Sequence, residues 1–141
     1  ERVPADASIA ASYAALPHVA ARSRAYSMAS VYLGVTQFDF APYEIPEGTA
    51  YLLMDRRDAI AYAVQFPHVG WAAAPARDGA NRLRELIRAR GFSVIAEQNG
   101  IALLTRDPGA ALSDRYLVPN PGDVRGRLAI DELRDVRVQE N

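Results

Sequence analysis

The sequence predicts an α/β fold, with a mixed, mainly parallel sheet and helices on its faces. Three observations carry that expectation. Residues 8–26 read as a short apolar strand, a small helical segment and a second strand, which is an opening βαβ unit. Ala50-Tyr51-Leu52-Leu53-Met54 is the most hydrophobic run and reads as a central strand. Asn99-Gly100 stands between two strand-like runs, the strongest short-range signal for an antiparallel hairpin. The opening crossover is expected to be right-handed, as parallel connections are.

Taken in order, Val3-Pro4-Ala5-Asp6-Ala7 is a turn into the first strand, with Pro4 setting an extended lead-in. Ser8 to Ala11 forms the strand, and Ser12 is placed to cap the helix that follows. Pro17 forbids an ordinary helix interior, so that helix starts late or kinks. His18 and Arg22 are four apart and would share a helical face. Arg24 to Met28 is the second strand. Residues 31–40 alternate Val31, Leu33 and Val35 against Tyr32 and Gly34, which suggests a third strand or an extended loop. Pro42, Pro46 and Gly48 mark a loop.

After the central strand, Asp55-Arg56-Arg57-Asp58 supplies carboxylates to cap a helix running from Ala59 to Phe66, stopped by Pro67. His68-Val69-Gly70-Trp71 is a loop with the only tryptophan. Residues 77–90 give the clearest helix: Asp78 is a cap, Leu83, Leu86 and Ile87 form an apolar stripe, and Gly91 is a C-terminal stop. Residues 1–106 therefore read as one α/β domain. Residues 107–141 read as a tail, an appendage or the start of a further domain, with a turn at Asn120-Pro121-Gly122-Asp123 and short strands at Leu128-Ala129-Ile130 and Val136-Arg137-Val138.

Composition limits the function classes. The chain has 141 residues, half of them hydrophobic, enough for one sizeable core. Its formal net charge is -1, which argues against a nucleic-acid partner. It has no cysteine, so disulfides and thiolate metal sites are excluded. Two distant histidines and scattered carboxylates lack metal-ligand spacing. No G-x-G-x-x-G, Walker loop or G-x-S-x-G elbow occurs, so no cofactor is expected. No run approaches the ~20 apolar residues of a membrane helix. The opening Glu1-Arg2-Val3-Pro4 and the closing Val138-Gln139-Glu140-Asn141 read as the cut ends of a piece of a longer protein.

The order Pro4, Asp6-Ala7-Ser8, Leu16-Pro17-His18, Arg22 and Tyr26, then Tyr51-Leu52-Leu53-Met54-Asp55, then residues 91–97 and Asn99-Gly100-Ile101-Ala102-Leu103-Leu104 resembles a known pattern. It is similar to the C-terminal part of a family of uncharacterised bacterial polytopic membrane proteins, themselves similar to the multi-spanning glycosyltransferases that use lipid-linked sugar donors. The resemblance covers residues 3–106 and departs at the long insert of residues 29–48. It implies an α/β domain on the extracytoplasmic side of the cell membrane, partnered by the membrane-embedded part of its own parent chain. It carries over no catalytic residue.

Six residues are candidate binding groups. His18 and Arg22 could meet an anionic group at the sheet edge; a local structural role weighs more heavily for the histidine. Asp55 and Asp58 follow a strand, and strand ends are where ligands of open α/β sheets bind, though helix capping and pairing with Arg56 or Arg57 explain them more simply. His68 and Trp71 could line a sugar site, since aromatic faces stack on sugar rings; a packing role for the tryptophan is the commoner one. Arg82, Arg84, Arg88 and Arg90 read as a solvated helix face. The leading function is a non-catalytic accessory domain of a glycosyltransferase-like membrane protein. The alternatives are a carbohydrate or glycolipid binding module and, behind it, a free-standing enzyme using Asp55 and His18. Shallow clefts favour the first reading and a convergent polar pocket the others. Replacing Gly100 by Val is expected to cost about 1 kcal/mol, because a β-branched residue resists the left-handed turn conformation; thermal melting of the two proteins checks this.

Overall fold

The computed structural model describes residues 3–106. The turn and two strands expected within residues 107–141 lie outside them, as do Glu1 and Arg2. Five strands form one mixed sheet: β1 (Ile9–Ala11), β2 (Ala25–Ser27), β3 (Tyr51–Asp55), β4 (Phe92–Gln98) and β5 (Ile101–Arg106), in the order β2-β1-β3-β5-β4. β2, β1 and β3 are parallel, while β5 is antiparallel to both β3 and β4. β4 therefore runs with the parallel set, and β5 alone opposes it. Five helices join the strands: α1 (Leu16–Val19), α2 (Met28–Leu33), α3 (Arg56–Gln65), α4 (Ala73–Ala76) and α5 (Gly79–Ala89). None of the described helices is long and apolar enough to cross a membrane.

Strand alternation sorts the core into two layers. Ala10, Leu52, Met54, Phe92, Ala102 and Leu104 face one way and pack with Met28, Val31 and Tyr32 of α2, Tyr62 of α3, Ala76 of α4, and Leu83 and Ile87 of α5. Ile9 and Ala11 face the other way and pack with Ala15 and Val19, flanked by Tyr51 and Leu53. α1 thus covers one face while the chain moves outward to β2. The remaining helices cover the opposite face while it moves back across β1 to β3 and on to β4. Reversing both direction and face keeps the crossover hand constant. Beyond α1, Leu53, Ile101 and Leu103 line an open cleft of about 470 Å³ on the first face.

Several local expectations hold in detail. Pro17 lies in the first turn of α1, where its missing N–H costs nothing. Asn99 and Gly100 have φ of 53° and 78° and turn β4 into β5. Gly91, at φ 65°, follows α5. Others need correction. Residues 31–33 belong to helix α2, not to a strand. Met28, Val31, Tyr32 and Leu33 are all buried, a helical spacing that the short alternation in the sequence mimicked. Ser12 precedes a 3₁₀ turn (Tyr13–Ala15) but makes no side-chain cap there. Asp78 occupies the N-cap position of α5 without a capping side-chain bond. The helix expected over residues 77–90 is shorter, and the single turn α4 precedes it. Ile95 is an extra residue in β4, a bulge between Val94 and Ala96 that the sequence did not announce.

The long connection from α2 to β3 is held by arginines. Gly34 ends α2 at φ 69°, and the Arg82 guanidinium lies against it and donates to the Tyr32 carbonyl. Arg90 donates to the carbonyls of Ile45 and Pro46, each at 2.9 Å. Arg82 and Arg90 are therefore tethers, which corrects the expectation of a wholly solvated basic face.

Gly79 opens α5 for a packing reason. A Cβ there would lie 2.2 Å from Cε1 of Tyr32, which is fully buried against the rings of Tyr62 and Phe66. Gly79→Ala gains about 1 kcal/mol of helix propensity but must displace a packed ring, and overpacking of this kind costs ~1–3 kcal/mol or more. The variant is expected to be less stable than the parent chain, read as a lower urea midpoint at unchanged m-value.

Candidate functional site

The chain leaves β1 toward one edge of the sheet and leaves β3 toward the other. Between their C-terminal ends lies the switch point where open α/β folds bind ligands. Ser12 follows β1 there, and Asp55 ends β3. The first residues of α3 and the hairpin turn lie at the same end, since the Arg56 amide donates to the Gly100 carbonyl at 3.0 Å. Asp55 is the last residue of β3 and the N-cap of α3, and Asp58 lies in the first turn of that helix.

Their hydrogen bonds are turned inward. Asp55 is almost wholly buried and caps α3: its Oδ1 accepts the Arg57 amide at 2.9 Å. Arg57 then folds back and grips the same carboxylate with Nε at 3.0 Å and Nη2 at 2.7 Å. That bidentate pair is the main reason the Asp55 carboxyl is held below the usual carboxylate range. The Asp55 amide donates to Ser12 Oγ at 2.9 Å, and the Ser12 amide donates to the Leu53 carbonyl at 2.9 Å. The Ser12 hydroxyl thus joins β1 to β3 instead of capping a helix.

α3 also fills the approach to the turn after β1. Asp58 Oδ2 accepts the Ala14 amide at 3.1 Å, and the Tyr62 hydroxyl accepts the Tyr13 amide at 3.3 Å. Tyr62 is buried, and that burial pushes its phenol up to about 12, so it stays a neutral hydroxyl. Free amides at such a turn are the usual partners of an anionic ligand; here the protein's own carboxylate and phenol take them. Asp55 at the N-cap of α3, and Asp58 and Tyr62 within it, stand at i, i+3 and i+7, a one-face spacing visible in the sequence.

The remaining candidates are dispersed. His18 is exposed on α1, and no hydrogen bond joins it to Asp55 or Arg22. Arg22 lies beyond the end of α1 and donates to the carbonyls of Val3, Pro4 and Ala7, holding down the incoming chain. This corrects the shared helical face, and it spends the guanidinium on backbone oxygens. His68 is exposed in a 3₁₀ turn (Phe66–His68). Trp71 is partly exposed and meets the Phe40 ring at a centroid distance of 5.3 Å.

Open clefts lined by described residues lie elsewhere on the surface. One, of about 360 Å³, lies between α5 and the loop after α2, lined in part by Gly34, Tyr43, Arg82 and Leu86. A second, of about 540 Å³, lies beside Glu44, Glu47, Arg90 and Arg106. Another is the sheet-face cleft. None is lined by His18, Arg22, Asp55, Asp58, His68 or Trp71. Among the described residues no three histidine or acidic side chains are grouped to hold a metal. Comparison with protein-family models, with curated proteins and with solved structures gives no match.

Asp55→Asn retains a capping oxygen but loses the ion pair with Arg57 and the charge at the start of α3. A loss of about 1 kcal/mol is expected at neutral pH, because the Arg57 side of the pair is 74% exposed and screened. The folded-state pKa of Asp55 is lowered, so its charge stabilises the fold above the unfolded value of about 4. That contribution disappears as pH falls through the lower folded value. Melting curves of parent and variant should therefore converge below about pH 4.

Proposed function

We propose that this chain is a non-catalytic extracytoplasmic domain of a polytopic, glycosyltransferase-like membrane protein, working beside the membrane-embedded part of that parent. The residue pattern from Pro4 to Leu104 suggests the setting. The non-catalytic part rests on one observation: the carboxylates and phenol at the β1–β3 switch point are spent on the protein's own amides and on Arg57. An acid–base pair needs a proton-transferring group within reach of a substrate, and Asp55 presents its oxygens to Arg57.

A carbohydrate-binding module is the second reading, favoured by the surface pairing of Trp71 with Phe40. The two are separable from catalysis by mutation in the full-length parent. His18→Gln and Asp55→Asn, measured side by side for folding and for sugar transfer from a lipid-linked donor, should leave transfer near the parent level. If they served as acid and base, transfer would drop ~10²–10⁴-fold in folded protein, and the accessory reading would fall.

A further inference from the structure

Strand alternation sends Arg106 to the same side of the sheet as Ala102 and Leu104, at the end remote from Asp55. There its guanidinium carbon lies 5.6 Å from the centroid of the buried Phe92 ring, its partner in the register of β4 and β5. A ring can meet only one face of a guanidinium. The five N–H groups lie in the plane and still need oxygen acceptors.

One of those groups is also shut off from water. Arg106 Nε is buried and has no acceptor among the described residues. A buried charged donor without a partner is costly. Arg57 shows the ordinary solution, a carboxylate gripped through Nε and Nη2. Arg106 has no such carboxylate. Among the described residues neither Glu44 nor Glu47 forms an ion pair with it, although all three line the open cleft of about 540 Å³.

Arg90, just past the end of α5, lines the same cleft. Its Nη1 donates to the carbonyls of Ile45 and Pro46, on the segment that carries the two glutamates. The spacing of the charges is therefore built into the fold. Two guanidiniums and two exposed carboxylates line one cleft without closing on one another.

These four charges cancel. A dianion would gain from the arginines and lose to the glutamates, and a bare cation the reverse. A molecule with one charge of each sign satisfies both pairs. We propose that this cleft binds a small amino-carboxylate zwitterion, its carboxylate accepting from Arg106 Nε and from Arg90, its ammonium facing Glu44 and Glu47. The site lies at the opposite end of the sheet from the β1–β3 switch point, and the proposal does not rest on the accessory-domain reading.

The Nε–H signal of Arg106 in a nitrogen-labelled sample reports directly on the bond in question. The 141-residue chain is titrated with glycine, β-alanine and γ-aminobutyrate, a series of growing charge separation, and with acetate, methylammonium and inorganic phosphate. At least one zwitterion is expected to move the Arg106 signal and to bind about tenfold or more tightly than the three simple ions. Arg106→Lys keeps the charge but lacks the Nε–H, and should weaken that zwitterion about tenfold in calorimetry. Glu44→Gln and Glu47→Gln together, both at exposed positions, should bring it down to the level of acetate at unchanged melting temperature. The proposal is overturned if no zwitterion moves the signal. It is overturned equally if acetate, methylammonium or phosphate binds as tightly as the best zwitterion, which would mark an adventitious ion only. Parent-like zwitterion binding by folded Arg106→Lys or by the double glutamate variant also overturns it.

Discussion

One buried carboxylate governs the turn from β3 into α3, and most of the architecture hangs from that turn. Asp55 leaves the sheet with extended backbone, accepts the Arg57 amide and so starts the helix at once. Burying an ion is costly unless it is paired and hydrogen-bonded. Arg57 meets that requirement with a two-pronged grip while leaving its own chain in solvent. The fixed start of α3 then sets where Asp58 and Tyr62 project, and those two side chains hold the turn after β1.

β1 shows why such ties are needed. Three residues cannot hold a strand by their own pairings, yet β1 separates β2 from β3. A serine at each end fastens it. Ser8 Oγ donates to the Gly48 carbonyl at 2.8 Å and accepts the Ala50 amide at 3.0 Å. At the other end Ser12 Oγ accepts the Asp55 amide. Both serines are buried, so each hydroxyl is held where an unmade bond would be expensive. The strand is defined by its ends more than by its length.

Much of this was legible in the residues. The hydrophobic run of β3, the Asn99-Gly100 turn and the stripe of α5 each depend on neighbours a few positions away, and each lies where it was expected. α2 resembles a strand in sequence because six residues give too few turns to separate a period of 3.6 from a period of 2, and Gly34 and Val35 prolong the alternation. The candidate site divided along the same line. Asp55 as a cap is a local property and was visible. The link from Ser12 to residue 55, and that from Tyr62 back to residue 13, cross 43 and 49 positions. Such partners are set by strand order, which no single stretch encodes. Arg82 and Arg90 read as surface charges for the same reason: the carbonyls they hold, of Tyr32 in α2 and of Ile45 in the loop after it, lie 50 and 45 positions away.

The bulge at Ile95 has a consequence beyond the shape of β4. Among the described residues β4 and β2 are the two borders of the sheet, and border strands are where another chain can be recruited. β2 limits that risk by being only three residues long. β4, at seven residues, is the longest of the described strands and the more dangerous template. The extra residue interrupts its hydrogen-bonding rhythm midway, and the exposed Glu97 adds a charge beyond the break. A straight incoming strand would find its register broken after a few residues. The irregularity thus works as a guard against fibre-like growth, built into the edge that most needs one.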